Sequence, residues 1–256
     1  MSRIKRAYGI ICCRINKERG FETILIKKTI TYHFFEFVSG NYRKHDDMHL
    51  QKLFNNMTFY EKMDILSMKF NFMWYRIYHS LPDPKTSSRL STNYTRQKSK
   101  FETTFINDGG IRLRRLISNT TNAETLWEIP KGRRKEHMKE GELAAAIREF
   151  SEETGVSDQK YQILTRLPPY IETYSDFGVT YQNIYYYAEA IGDWVPDIRF
   201  NDTTQTSEVA GIGWCNSYDI KNLKLDNTTH HRLIKMFALI NKKYKNYKKN
   251  ISILIS

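Results

Sequence analysis

A chain of 256 residues is long enough to bury a sizeable core, as one large domain or as a domain carrying an insertion. Hydrophobic residues at 40% and aromatic residues at 14%, spread along the whole length, exclude wholesale disorder. Forty Lys and Arg against 28 Asp and Glu leave a formal net charge of +12, which favours nucleic acid, phosphorylated small molecules or acidic membrane surfaces as partners, or else a solvated basic exterior.

The opening "MSRIKRAYGIICCRINKERG" has basic residues and a short apolar patch, but Arg14 interrupts it before it reaches the length of a signal sequence. No stretch approaches the ~20 apolar residues of a membrane span, so the chain reads as soluble. The three cysteines, Cys12, Cys13 and Cys215, have no metal-ligand spacing and suggest neither a disulfide framework nor a zinc site; a reducing, intracellular compartment follows. Residues 7–15 and 22–28 are β-type runs joined by "NKERG", a hairpin connection, with Cys12 and Cys13 as strand residues.

Over residues 45–80 the apolar positions take helical spacing (Leu50, Leu53, Phe54; Met63, Leu66, Phe70; Met73, Trp74, Ile77) and predict two or three helices. Thr58 followed by Glu61 is a capping box that starts one of them. Residues 81–110, rich in Pro, Ser, Thr, Lys and Gly, read as a basic, partly flexible connector, either wrapping nucleic acid or simply solvated. β-type runs return at 125–129, 161–167, 170–175, 179–191 and 209–215, and an amphipathic helix over 226–248 ends in the basic run "NKKYKNYKKN".

Between the first two of these runs lies a strong helix, about 142–154, with Leu143, Ala146, Ile147 and Phe150 toward the core and Ala145 leaving room beside the acids. Glu149, Glu152 and Glu153 stand at i, i+3 and i+4 on another face, within one turn. Carboxylates so close repel one another, and Arg148 offsets one charge only. Hard oxygen donors at this spacing suit Mg²⁺ or Mn²⁺ bridging to substrate phosphates, whereas a solvated acidic face is the plain alternative.

The surrounding text, "LWEIPKGRRKEHMKEGELAAAIREFSEETGV", resembles the Nudix hydrolase signature, G-x5-E-x7-R-E-φ-x-E-E-x-G-φ with φ apolar. Glu140, Arg148, Glu149, Phe150, Glu152, Glu153, Gly155 and Val156 match in register. Seven residues, not five, separate Gly132 from Glu140, as if two had been inserted in the loop, and the strict glycine position holds Arg134. The resemblance implies an α/β fold, an α/β/α sandwich with a mixed sheet, and hydrolysis of a nucleoside diphosphate linked to another moiety. It implies Glu149 as catalytic carboxylate held by Arg148, and Gly132, Glu149, Glu152 and Glu153 as ligands of Mg²⁺ or Mn²⁺. Asp176 is a further candidate ligand and Glu208 a candidate base or ligand, each before or after a strand.

"FNNMT", "MWYRIY", "LWEIPKG" and "AIREFSEETG", with the order hairpin then helices, resemble the decapping Nudix proteins of large cytoplasmic DNA viruses, the asfarvirus type in particular. That resemblance implies cleavage of the mRNA cap to 7-methyl-GDP in the host cytoplasm, with capped mRNA as partner. Some members also act on diphosphoinositol polyphosphates or free nucleotides. It implies residues 1–40 as the first hairpin, 41–110 as an inserted N-terminal helical, RNA-binding region with its connector, and 111–256 as the catalytic core with signature 132–156. Lys131, Arg133, Arg134 and Lys135 are candidate substrate contacts, with further charge at Arg112, Arg114 and Arg115, between Lys85 and Lys100, and between Lys242 and Lys249. Trp127, Tyr185, Tyr187 and Trp214 are candidates to stack on a methylated base, or core residues.

Overall fold

The structure, a computed structural model, describes residues 4–82, 88–176, 179–199, 201–223, 225 and 227–255. The chain divides into two compact units, Met1–Lys28 with Trp127–Ser256, and Thr29–Leu126. It opens with the expected hairpin, β1 (Ile4–Asn16) and β2 (Gly20–Lys28), which turns with Asn16 opposite Gly20.

The second unit is helical throughout: α1 (Tyr32–Val38), α2 (Asp47–Asn55), α3 (Phe59–Leu66), α4 (Phe70–Tyr78), α5 (Arg89–Phe101), a wide π-type turn over Glu102–Ile106, and α6 (Ile111–Ser118). It has its own core, in which Phe34, Phe37, Leu53, Phe54, Trp74, Phe101, Phe105 and Leu113 are buried together. Its bounds are wider than the expected 41–110: α1 lies in the stretch assigned to the hairpin and α6 in the stretch assigned to the catalytic core. The expected connector is mostly α5. Its apolar face, Leu90, Tyr94 and Phe101, is diluted by Ser, Thr and Lys, and Ser88 caps it by accepting from Ser91 N. Residues 83–87, with Lys85, lie outside the described residues.

The Thr58–Glu61 capping box is present, and the structure gives Glu61 a second role. Its side chain is buried, accepting from Thr58 N at 2.8 Å, from Thr31 N at 2.6 Å and from Thr31 Oγ1 at 2.9 Å. Thr31 is itself the N-cap of α1, so one carboxylate joins the starts of two helices.

The chain then returns to the sheet unit through β3 (Trp127–Glu128), β4 (Lys131–Gly132), α7 (Glu142–Thr154), β5 (Tyr161–Ile163), β6 (Tyr170–Asp176), β7 (Val179–Ala190), α8 (Thr203–Glu208), β8 (Val209–Cys215), α9 (Ser217–Lys221) and α10 (Asn227–Ile255). Along one path the strands run β3-β2-β1-β7-β5, with β4 also beside β1, β6 beside β7 and β8 beside β2. β1 and β7 are parallel from Ile4 opposite Thr180 to Cys13 opposite Glu189, which makes the sheet mixed. That central position explains why "YGIICC" is apolar without alternation: both faces are covered. Ile10 and Cys12 turn toward Ala145, Ala146 and Phe150 of α7, while Ile11 and Cys13 turn toward Leu233, Phe237, Ile240 and Tyr244 of α10. The sheet unit is therefore the expected α/β/α sandwich.

Replacing Glu61 by Ala leaves buried donors on Thr31 and Thr58 without their acceptor. Urea unfolding should show a loss of about 3 kcal/mol, and E61Q, which keeps an acceptor, should lose less.

Candidate active site

The sequence of α7 is rich in Glu and Ala, strong helix formers, and it stops at Gly155, whose φ of 68° suits a residue without a side chain. Ala145 faces the core beside Ala146 and Phe150, whereas Leu143 and Ile147 are only half-buried, so the helix is rolled from the expected orientation. The roll carries Glu153 inward: it is 2% exposed.

Arg148 organises the acids. Its Nε donates to Glu140 Oε1 at 2.7 Å and its Nη2 to Glu140 Oε2 at 3.1 Å, a two-point grip, and Nη2 also reaches Arg133 O at 3.0 Å. Its Nη1 donates to Glu149 Oε1 at 2.8 Å and to Glu152 Oε2 at 2.7 Å. These bonds hold the Glu140 carboxyl at a pKa of about 2 and raise that of the guanidinium. Burial pushes the Glu149 carboxyl up, with the charges of Glu152 and Glu208 adding to the effect against the pull of Arg148.

A second cation gathers a second pair. Lys28, at the end of β2, donates to Glu153 Oε1 at 2.8 Å and to Glu208 Oε2 at 3.1 Å. Glu153 Oε2 accepts from Lys131 N at 2.8 Å. Burial outweighs these partners and pushes Glu153 to about 7. No motif in the sequence marks Lys28 or its bridge; the pairing of Lys28 with Val209 brings it beside Glu208, one residue away.

Gly132 lies on β4 opposite Tyr8, and a Cβ built there would sit 2.1 Å from Glu149 Cδ. The Glu149 carboxylate thus fills the space a side chain would need. This close approach is compatible with Gly132 as the expected signature glycine, and the loop that follows contains a short 3₁₀ turn at Glu136–Met138.

The expected substrate contacts divide. Arg133 and Arg134 are exposed, and Lys135 Nζ lies 3.5 Å from Glu152. Lys131 departs from expectation: its side chain is largely buried and paired with Glu128, so it is a strut of the site. Tyr185, Tyr187 and Trp214 are core residues at 2%, 1% and 7% exposure, and Trp127 is half-buried against the α10-side core. Asp176 ends β6, and its side chain lies outside the described residues.

Among the described residues no three acidic, His or Cys side chains form a ready-made cation cage. The donor chemistry nevertheless fits a divalent cation: hard oxygens are gathered in two pairs, Glu149 with Glu152 and Glu153 with Glu208, each around a cationic side chain. Glu149, Glu152, Glu153 and Gly132 are the residues that would hold one.

Raised from an ordinary 4.5, the Glu153 carboxyl binds a proton more readily folded than unfolded. In chelator, stability should therefore fall as pH rises from about 4.5 through 7, by about 3 kcal/mol in all. Thermal melts of E153Q across the same range should show a flatter profile.

The NUDIX domain model matches residues 107–237. The mRNA-decapping protein g5R of African swine fever virus, isolate Kenya, is 36% identical over 222 residues, 83% of this chain and 85% of that protein. The same protein from a Namibian isolate is 33% identical over 220 residues, covering 83% of this chain and 85% of it. Among solved structures, a C. elegans Ap4A hydrolase binary complex aligns over 96% of this chain and 98% of its own, at 13% identity and a TM-score of 0.44, too distant to weigh on the assignment. The register of the acids on α7, the glycine beneath Glu149 and the matched span agree, and the chain belongs to the NUDIX-domain family.

Proposed function

We propose that the protein is an mRNA-decapping Nudix hydrolase, which cleaves the triphosphate bridge of capped mRNA to 7-methyl-GDP and 5′-monophosphate RNA. The observation that carries this reading is the double clamp, Arg148 on Glu149 and Glu152 and Lys28 on Glu153 and Glu208, in a chain whose viral relatives bear the name decapping protein. Family members generally use a divalent cation. Here we assign Mg²⁺ or Mn²⁺ to Glu149, Glu152, Glu153 and the Gly132 carbonyl, and such a cation supplies charge neutralisation on the bridge and a more acidic water.

The protein's own groups do the rest. Glu149, with a carboxyl raised by burial, accepts the proton of the attacking water as the new P–O bond forms and a bridge P–O bond breaks. Arg148 fixes that carboxylate through Nη1. Arg133 and Arg134, exposed on the loop after Gly132, attract the polyphosphate, and the basic end of α10 adds to the attraction for the RNA body. The buried free thiols suit a reducing compartment, the host cytoplasm.

With cap-labelled RNA and Mn²⁺, wild type should release 7-methyl-GDP, and E149Q should be slower by about 10³-fold. Release of nothing by wild type, with turnover of diphosphoinositol polyphosphates instead, would replace this reading with a small-substrate phosphohydrolase.

For RNA binding, the slope of log K against log salt should shallow by about 0.7 for each lost phosphate contact in R133A and R134A. An unchanged slope would remove those arginines from the RNA path.

A further inference from the structure

Beyond the hydrolytic cluster, the β6–β7 hairpin carries an arrangement that no part of the hydrolysis uses. Tyr174 and Tyr181 stand opposite each other in the strand register and their rings stack, 5.2 Å between centroids and 12° between planes. Arg232 of α10 lies over the Tyr174 ring, its Cζ 4.7 Å from the centroid. The same guanidinium has its Nε 3.2 Å from Glu172 Oε1. Glu172 Oε2 in turn accepts from Asn183 Nδ2 at 2.9 Å, and Asn183 is 4% exposed.

A planar cation therefore rests on an electron-rich ring and pairs with a carboxylate that a buried amide holds in place. A base methylated at guanine N7 has the same chemistry. Methylation puts positive charge into the ring, and N1–H and the N2 amino group form two adjacent donors on one edge. Adenine, cytosine and uracil do not present two adjacent donors there, so a carboxylate discriminates against them. Each Glu172 oxygen has a second lone pair, so the bond to Asn183 leaves capacity for both contacts.

We propose that Tyr174 and Glu172 form the recognition site for the cationic 7-methylguanine base, with the Arg232 guanidinium occupying its place in the free protein. This rests on the decapping reading and specifies where that substrate's base is held. The Arg232 side chain is 43% exposed, which gives it room to swing out, whereas Glu172 at 11% stays fixed. The hairpin joins the sheet through β7, which pairs with β1, the strand that also carries β4 with Gly132.

The test compares binding of 7-methyl-GDP and GDP, with Mg²⁺ present, to wild type, Y174A, E172Q and R232A. Wild type should prefer the methylated nucleotide by about tenfold. Y174A and E172Q should lose most of that preference, and E172Q keeps the side-chain shape, so its fold is preserved. R232A should bind 7-methyl-GDP more tightly, because no guanidinium has to be displaced. Equal binding of the two nucleotides by wild type, an undiminished preference in E172Q, or weaker binding by R232A would overturn the proposal and leave Arg232 as a tie between α10 and the hairpin. Methyl preference in binding without release of 7-methyl-GDP from capped RNA would instead overturn the decapping reading alone.

Discussion

Like charges packed into one turn of a helix oppose folding, and every part of the hydrolytic site answers that repulsion. Two carboxylates about 4 Å apart repel by roughly 4 kcal/mol at the effective dielectric of a protein surface. Arg148 relieves it within α7 and reaches across to Glu140, fixing the loop that precedes the helix. Lys28 relieves it from the other side, and it is placed by strand pairing: a register shift between Lys27 and Lys28 sets Lys28 against Val209, next to Glu208. The sheet is thus the means by which acids distant in sequence share cations. Removing either cation leaves buried negative charge uncompensated, a larger cost than losing an exposed pair.

The positive excess is not uniformly available for binding. Within the helical unit Arg112 and Arg115 both turn to Asp47, at 2.5 Å and 3.1 Å, and Arg114 donates to Gly109 O. Lys100 donates to the carbonyls of Gly40 and Tyr42. These cations hold helices and loops together, whereas Arg133 and Arg134 are exposed.

The hydrolytic helix was legible because its spacing and its stop at Gly155 are local features, and the same holds for the Thr58–Glu61 cap. What could not be read were partnerships made across strands. Lys28 looks like one more basic residue at a strand end, Lys131 like a substrate contact, and Glu172 like an alternating polar position. The roll of α7 that buries Glu153 is likewise decided by the surface it packs on, since the alanines allow closer approach than Leu143 and Ile147. α5 is masked for a different reason: its polar residues outweigh a sparse apolar stripe.

The three cysteines have a consequence for how the two units can be told apart. Cys12, Cys13 and Cys215 are buried in β1 and β8, and burial raises their thiols, Cys215 to about 12, so they are shielded and almost wholly protonated near neutrality. The helical unit, Thr29–Leu126, contains no cysteine. An alkylating reagent is therefore blind to loosening of the helices and registers only the opening of the sheet, giving the chain an internal reporter for the unit that carries its chemistry.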